Sequence, residues 1–284
     1  MGIWRIIYNN IFSVYRGLWK KTSTCRLQKW LKKFDVDGVL IDVTKSYHYS
    51  IKDTVDYFSK KENSLKDLLD IKLTFGINND WDASLAGIVY AKSGLDLASF
   101  KNLFKPYSTK LEDFYKLAKE LNINLPSYQE LVEYFEERYK IHRDKEQLII
   151  PHEILKEVRE ISDVMGVITG RPFQDLDYTF KMFNIYKYFD FIITEDDIPN
   201  PHLRKPSSYP LKTFFKKFEY KDPVFYVGDT VADLMMVYNY NKEERKNVEF
   251  ILYQNQHNYN LPAKHKVEDQ KELLNILKGV LKWL

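Results

Sequence analysis

The stretch Asp35-Val36-Asp37-Gly38-Val39-Leu40-Ile41-Asp42 decides the fold, because two acids stand where an apolar strand runs into a glycine turn. Side chains two residues apart on a strand point the same way, and the turn lets Asp35 and Asp37 face one pocket. A carboxylate held there can act as a covalent nucleophile toward phosphorus, and its neighbour can serve as general acid and then general base. Taken alone, the segment could equally be a turn with two solvated acids.

Strand-like apolar runs alternate with helical patterns from about Leu148 onward, which is typical of a parallel α/β sheet. The predicted strands are 164–169, 191–194, 224–227 and 249–252, and the predicted helices are 173–183, 208–218, 230–238 and 269–281. A further strand is predicted just before Asp35. Lys32 and Lys33 fit this strand poorly, because a central parallel strand is expected to be apolar throughout.

A long insertion separates the first strand from the others. The stretch from Val43 to Ile168 has 126 residues, whereas a simple crossover between parallel strands needs roughly 30. We therefore predict a helical cap domain at 44–148 over a Rossmann-like core made of 29–43 and 149–284. Apolar residues at three- and four-residue spacing predict cap helices at 49–59, 82–92, 111–121 and 129–139.

Three further segments with reactive residue types follow predicted strands, on the side of a parallel sheet where α/β folds bind ligands. A hydroxyl before a glycine turn, Thr169-Gly170, can bind a phosphoryl oxygen together with backbone N–H groups. Lys205 would neutralise both a nucleophilic aspartate and a phosphoryl group. Asp229 at a strand end and Asp233 one turn into the next helix suit a hard cation such as Mg²⁺.

Each of these segments has an ordinary interpretation when it is taken alone. Thr169-Gly170 could be a simple turn, Lys205 a surface residue, and Asp229 with Asp233 a helix N-cap and a solvated helix face. The order of the set favours a site. An acid, a hydroxyl, a lysine and an acid pair follow one another at offsets of 134, 170 and 194 residues from Asp35, each at a predicted strand end.

Together the four segments resemble motifs I to IV of the haloacid dehalogenase superfamily, in the branch whose cap lies between motifs I and II. The resemblance covers about 34–281 and implies a Mg²⁺-dependent phosphatase. By this resemblance, Asp35 is the nucleophile, Asp37 is the acid and base, and Thr169 and Lys205 bind the phosphoryl group. Mg²⁺ would be bound by Asp35, the backbone carbonyl of Asp37 and Asp229, with Asp233 a ligand or a partner of the ligands.

Finer similarity concerns the substrate pocket and the type of reaction. The superfamily's dehalogenases lack the second acid of motif I, so the presence of Asp37 favours phosphoryl transfer. Thr169-Gly170-Arg171-Pro172, Asn78-Asn79-Asp80-Trp81-Asp82 and Lys205-Pro206-Ser207 resemble a subgroup labelled histidinol-phosphatase-like, close to phosphoglycolate phosphatases. Gly170, Arg171 and Trp81 are therefore candidate substrate contacts. Arg171 could instead pair with an acid such as Asp175, and Trp81 could be a core aromatic beside a helix N-cap at Asn79.

The N-terminal arm, residues 1–28, is basic and has apolar residues at helical spacing. Residues 1–34 contain eight Lys or Arg and no Asp or Glu. We favour a helix packed on the protein's own core, while docking on an anionic membrane surface remains an alternative. Nucleic-acid binding is not expected, because the rest of the chain is mildly acidic and contains no recognised nucleic-acid-binding module.

Composition sets the remaining expectations. The chain has 284 residues, 44% of them hydrophobic and 29% charged, which excludes disordered and collagen-like chains. Its single cysteine, Cys25, cannot form an internal disulfide, and no apolar run of about 18 residues is present, so we expect an intracellular, cytoplasmic protein. The expected partner is a small phosphorylated metabolite, and the aromatic-rich arm or cap could form a homodimer. The alternatives are a phosphomutase of the same fold and a non-catalytic protein that binds a phosphometabolite or docks on a membrane.

Overall fold

The computed structural model describes residues 30–106, 109–218, 224–255, 258 and 260–279. The arm at 1–28 therefore lies outside the described residues. The strands are β1 (Trp30–Phe34), β2 (Ile41–Asp42), β3 (Gln147–Leu148), β4 (Ser162–Ile168), β5 (Phe191–Ile193), β6 (Val224–Gly228), β7 (Val248–Tyr253) and β8 (His265–Val267). The helices are α1 (Tyr47–Ser59), α2 (Leu65–Phe75), α3 (Asp80–Ser93), α4 (Leu97–Asn102), α5 (Leu111–Glu120), α6 (Tyr128–His142), α7 (His152–Glu160), α8 (Phe173–Met182), α9 (Tyr209–Phe215), α10 (Val231–Glu244) and α11 (Gln270–Gly279).

Six parallel strands form one sheet in the order β5-β4-β1-β6-β7-β8, which confirms the predicted α/β fold. The chain leaves β1 in one direction toward β4 and β5 and later crosses to β6 on the other side. Phe34, the last residue of β1, pairs with Val167 on β4 and with Val227 on β6. The carboxyl ends of these three strands therefore lie side by side, at the point where the strand order reverses and α/β sheets bind ligands.

The inserted segment leaves and returns to the sheet through a short antiparallel pair. Ile41 of β2 pairs with Leu148 of β3, and Asp42 pairs with Gln147. Helices α1 to α6 lie between these two strands, and one apolar cluster runs from β1 through α1 and α6. Helices α1 and α6 thus share buried apolar surface with the sheet, and the predicted cap domain stays a prediction.

The expectation of a fully apolar central strand is wrong at β1, because both lysines are buried there. Lys32 Nζ donates a hydrogen bond to the carbonyl oxygen of Ile161 at 2.7 Å. Lys33 Nζ lies 3.4 Å from the centroid of the Phe215 ring, and burial lowers the pKa of Lys33 well below its usual value. Long aliphatic stems fill the core while each amino group meets a carbonyl or an aromatic face, which makes these positions tolerable.

Most predicted helices and strands are present with ends shifted by a few residues, and several short elements were not predicted. The α3 helix begins at Asn79, whose side chain accepts hydrogen bonds from the backbone N–H groups of Trp81 and Asp82. This supports the N-cap interpretation of Asn79. The elements that the pattern did not predict are α2, α4, α7, β2, β3 and β8.

Candidate active site

The turn after β1 brings two carboxylates to the sheet edge. The Asp35 N–H donates to the carbonyl oxygen of Val227, which ties the turn to β6. Gly38 has φ of +72°, and a Cβ atom at this position would lie 2.2 Å from Asp229 Oδ2. Glycine is required there for two reasons. Any side chain would collide with the Asp229 carboxylate, and residues other than glycine rarely adopt a positive φ.

Lys205 is a buried cation between two carboxylates. Its Nζ lies 2.9 Å from Asp35 Oδ1 and 2.8 Å from Asp233 Oδ1. Burial by itself would lower the pKa of Lys205, but Asp233 and Asp35 outweigh that effect and raise it. Lys205 therefore stays protonated, and its charge is held beside the Asp35 carboxylate.

Three carboxylates converge around this lysine. Oxygen atoms of Asp35, Asp229 and Asp233 lie within 4.8 Å of one another. Burial, followed by the charge of Asp233, raises the pKa of Asp35 to about 8 and that of Asp229 well above its usual range. Asp229 Oδ1 is buried and accepts no hydrogen bond from the described residues. Crowded acids with an unsatisfied oxygen fit a hard divalent cation, which would supply the missing positive charge.

Asp233 differs from Asp229 in that donors already surround both of its oxygens. Oδ1 accepts from Tyr226 at 2.9 Å and lies 2.8 Å from Lys205 Nζ. Oδ2 accepts hydrogen bonds from the backbone N–H and the hydroxyl of Thr230, in a capping box at the start of α10. These contacts lower the pKa of Asp233 despite its burial, Lys205 contributing most. The Asp233 carboxylate therefore holds Lys205 in place and caps the N-terminus of α10.

Thr169 and Gly170 follow β4, next to the Asp35 turn. The Thr169 N–H donates to Ile193 O at 3.0 Å, and the Thr169 hydroxyl accepts from the Arg171 N–H at 3.1 Å. Thr169 and Lys205 line a small cavity that adjoins the main cleft, while Gly170 lines both. The predicted hydroxyl and lysine thus lie at the sheet edge beside the carboxylates.

Arg171 lies at the edge of the cleft and pairs with acids, but not with Asp175. Its side chain is 1% exposed, and its Nε donates to Asp37 Oδ1 at 2.6 Å. Its Nη2 lies 3.1 Å from Glu146 Oε1. Asp175 instead accepts from Tyr47. The predicted role of Arg171 in substrate binding stays a prediction, with its guanidinium turned toward Asp37 and Glu146.

The cleft has a volume of about 810 Å³ and is lined by residues that follow the strands of the sheet and by residues of helices α1, α2, α3 and α6. Trp81 lines it and also packs against the apolar core, and its Nε1–H donates to Glu136 Oε1 at 2.9 Å, so its contact with a substrate stays a prediction. His48 and Lys72 also line it, and Lys72 forms an ion pair with Asp80. The predicted residues that line the cleft or its side cavity are Asp35, Asp37, Trp81, Thr169, Gly170, Arg171, Lys205 and Asp229.

Sequence reasoning missed several residues at the site. Glu146 is buried and binds Arg171, and Glu136 binds Trp81. Asn255 donates to Asp229 Oδ2 at 3.2 Å, and Asn258 donates to the Asp229 carbonyl oxygen at 2.8 Å. Most of these residues fall in charged or polar segments with no short motif, so the sequence held no local signal for them. Asn255 is the exception, because it closely follows a predicted strand, where ligand-binding residues are expected.

No helix among the described residues is long and apolar enough to cross a membrane.

The chain is similar in sequence to a family of hydrolases and to a curated protein. The sequence model of haloacid dehalogenase-like hydrolases matches residues 90–277. The chain is 28% identical over 204 residues to an imidazoleglycerol-phosphate dehydratase of Phytophthora nicotianae, an alignment that covers 71% of this chain and 39% of that protein. The chain therefore spans well under half the length of that curated relative.

Solved structures share the fold. The phosphatase Tt82 from Thermococcus thioreducens superimposes with a TM-score of 0.65 at 22% identity, over 88% of this chain and 99% of that one. A predicted phosphoglycolate phosphatase from Haemophilus somnus 129PT gives a TM-score of 0.59 at 16% identity, over 89% and 99% of the two chains. At these identities the likeness extends to the fold, and the chemistry has to be argued from the site itself.

Proposed function

Because the chain belongs to the haloacid dehalogenase-like hydrolase family, we propose that it is a Mg²⁺-dependent phosphatase that hydrolyses a small-metabolite phosphomonoester through an aspartyl-phosphate on Asp35. The observation that carries this proposal is the position of Lys205, whose Nζ lies 2.9 Å from Asp35 Oδ1 at the sheet edge. A buried cation placed there neutralises both the attacking carboxylate and the phosphoryl group that approaches it.

In the first step, Asp35 attacks phosphorus. Its Oδ1 is occupied by Lys205 and by the Val36 N–H at 2.8 Å, whereas Oδ2 accepts no hydrogen bond from the described residues. A bond forms from Oδ2 to phosphorus while the bond from phosphorus to the ester oxygen breaks. The proton of Asp37 passes to that departing oxygen, which leaves as an alcohol.

In the second step, water releases the phosphoryl group. Asp37, now a carboxylate, takes a proton from water as the water oxygen bonds to phosphorus, and the bond from phosphorus to Asp35 breaks. Inorganic phosphate leaves, and both aspartates return to their starting protonation states. The Thr169 hydroxyl and Lys205 hold the phosphoryl oxygens in both steps.

The carboxylates support the Mg²⁺ part of the proposal. Asp35, Asp229 and the backbone carbonyl of Asp37 would hold the ion, with Asp233 beside them. The orphaned Oδ1 of Asp229 and the raised pKa values of Asp35 and Asp229 favour a cation at this place. When bound, Mg²⁺ supplies positive charge that offsets the negative charge of the phosphoryl group.

The cleft supports a small substrate. Its volume of about 810 Å³ lies in the range of roughly 300–1,000 Å³ that holds small molecules. Core residues with the reactive groups form one wall, and cap residues such as Trp81 and His48 form the other. The cap would exclude bulk water from the aspartyl-phosphate.

The test is phosphate release from a broad panel of phosphomonoesters, with Mg²⁺ or with EDTA. We expect metal-dependent release that Asp35→Asn abolishes. Asp163→Asn is the matched control, since Asp163 is an exposed aspartate on β4 and does not line the cleft. In Asp37→Asn supplied with p-nitrophenyl phosphate, whose leaving group needs no proton from Asp37, mass spectrometry should detect a trapped phosphoryl group on Asp35, because the base for the second step is gone.

Three outcomes would redirect the assignment. An isomerised sugar phosphate without free phosphate would identify a phosphomutase. A folded wild type that binds Mg²⁺ and phosphomonoesters but converts none of them would indicate a binding protein. Release that persists unchanged in EDTA would contradict the metal requirement.

A further inference from the structure

Arg171 donates hydrogen bonds to several protein groups, which leaves few of its N–H groups available to a substrate. Its guanidinium is buried and offers five N–H donors in a planar fork. Nε donates to Asp37 Oδ1, and Nη2 reaches both Asp37 Oδ1 at 2.5 Å and Glu146 Oε1 at 3.1 Å. Nη1 donates to Thr179 Oγ1 at 2.9 Å and to Tyr139 and Glu146 at 3.2 Å each. Every nitrogen of the guanidinium therefore has a protein acceptor.

Glu146 is the second buried acid of this network. Its side chain is fully buried, and it lies one residue before β3, on the return linker of the cap. Oε1 accepts from Ser46 at 2.8 Å, and Oε2 accepts from Thr179 at 2.8 Å, in addition to the two contacts with Arg171. A buried carboxylate with this many donors is held in one orientation, and it fixes the guanidinium in turn.

Asp37 is the exposed end of the network. Its side chain is 30% exposed and lines the cleft, whereas Arg171 and Glu146 are buried behind it. Both contacts from Arg171 reach Oδ1, and no described residue donates to Oδ2. One oxygen is thus anchored while the other remains available to a reacting proton.

We propose that Arg171 is a positioning residue for Asp37, and that Glu146 holds Arg171 so that the acid and base carboxylate keeps one orientation over the cleft. The inference rests on the proposed phosphatase function, which it deepens by assigning what orients the proton donor. In this role Arg171 and Glu146 act through Asp37, and the hydrogen bonds and ion pairs that they form among the described residues are with protein groups other than Asp35. Their effect is on proton transfer to the ester oxygen and from water.

This role has a signature that general destabilisation lacks. Alkyl phosphates have poor leaving groups that need a proton from Asp37, whereas p-nitrophenolate leaves without one. A misplaced Asp37 should therefore slow the formation of phospho-Asp35 from an alkyl phosphate while hardly changing its formation from p-nitrophenyl phosphate. Loss of folded protein would reduce both rates equally.

The experiment measures single-turnover formation of phospho-Asp35 with both kinds of substrate, in wild type, Glu146→Gln, Arg171→Lys and Thr179→Val. The alkyl substrate is the one with the highest rate in the phosphomonoester panel. We expect the ratio of p-nitrophenyl to alkyl rate to rise about tenfold to a hundredfold in the first two variants, because misplacement by about 1 Å can cost a hundredfold. Thr179→Val should give a smaller rise, since it removes one neutral hydroxyl that contacts both Arg171 and Glu146.

Asp190→Asn is the matched control, because Asp190 also pairs with an arginine, Arg159, at 3.1 Å and lies away from the cleft. Its rate ratio should equal that of the wild type. An unchanged ratio in a folded Glu146→Gln would overturn the inference. Where Glu146→Gln does not fold, an unchanged ratio in Thr179→Val would overturn it.

A crystal structure of Glu146→Gln separates failure of the inference from failure of the proposed function. A guanidinium and an Asp37 carboxylate displaced from their wild-type positions support the positioning role, and unchanged positions overturn it, whatever the activity. A wild type that releases no phosphate would defeat the proposed function, while this structural comparison would still decide the positioning role.

Discussion

Gly38→Ala tests whether the Asp229 carboxylate is held in place by the turn that carries Asp35, the proposed nucleophile. The new Cβ would lie 2.2 Å from Asp229 Oδ2, and real Cβ contacts start at 3.0 Å. Either the carboxylate or the turn must therefore retreat by about 0.8 Å, a shift of the size that can cost a hundredfold in rate. The alanine must also adopt a left-handed φ of +72°, which costs about 1–2 kcal/mol of stability.

Gly94→Ala separates the two effects. Gly94 ends α3 with φ of +74°, and nothing lies within 4 Å of its added Cβ. Both variants should lose about 1 kcal/mol or more in urea unfolding without metal, because both carry the same backbone strain. Only Gly38→Ala should require a higher Mg²⁺ concentration for half-maximal phosphate release and show a kcat lowered by about tenfold to a hundredfold.

The refuting result is specific. If Gly38→Ala retained the kcat and the Mg²⁺ dependence of Gly94→Ala, the close approach of the turn to Asp229 would have no part in catalysis. Mg²⁺ titrations by calorimetry on both variants make the comparison independent of any substrate.

Three further predictions concern stability. Lys33→Met should raise the free energy of unfolding by about 1–4 kcal/mol near neutral pH. Burial lowers the pKa of Lys33 in the folded protein. The stability gained by the substitution should therefore shrink as pH rises toward 10.5, where the lysine of the unfolded chain also loses its proton. Burial raises the pKa of Asp175 from 3.8 to about 8, so the folded protein loses stability as pH rises between these values. Asp175→Asn should reduce this loss of unfolding free energy with pH, measured by urea titration. An unchanged pH dependence would contradict the raised pKa of Asp175. Gly166→Ala places a Cβ 2.1 Å from the Phe214 ring and should cost about 1–3 kcal/mol in urea unfolding, with Gly279→Ala as the control, because nothing lies within 4 Å of a Cβ added at Gly279 and its φ is not positive.

Five of the six strands in the central sheet could be predicted from the sequence, β4 to β7 because they are apolar runs and β1 because an acidic motif follows it. Acids and a hydroxyl at strand ends are visible without any tertiary knowledge. The short elements were harder. Helix α4 has six residues and α7 has nine, so their periodicity is weak and tertiary packing stabilises them. Helix α2 had usable signals that were not recognised, the N-cap Ser64 and the left-handed Gly76 at its end.

Pairings across the chain could not be predicted from one sequence. Arg171 was expected to meet either a substrate or Asp175, and the structure joins it to Asp37, 134 residues away, and to Glu146, 25 residues away. Both partners are acids among the 40 in the chain, and nothing local marks either of them as the partner of Arg171. Charge complementarity predicted that Arg171 would find an acid, while only the fold determines which acid it finds.

The same limit explains why two aspartates of one motif take different parts. In the sequence, Asp229 at a predicted strand end and Asp233 one turn into the next helix form an acid pair four residues apart, and nothing local shows which of their oxygens already have partners. In the fold, Asp233 is surrounded by donors from Tyr226, Thr230 and Lys205, whereas Asp229 keeps a buried oxygen that no described residue satisfies. Because a hard cation binds best where carboxylate oxygens lack other partners, Asp229 is the better candidate ligand. Asp233 holds Lys205 beside Asp35, so that in the proposed site one helix start would supply both a place for the metal and the anchor for the lysine.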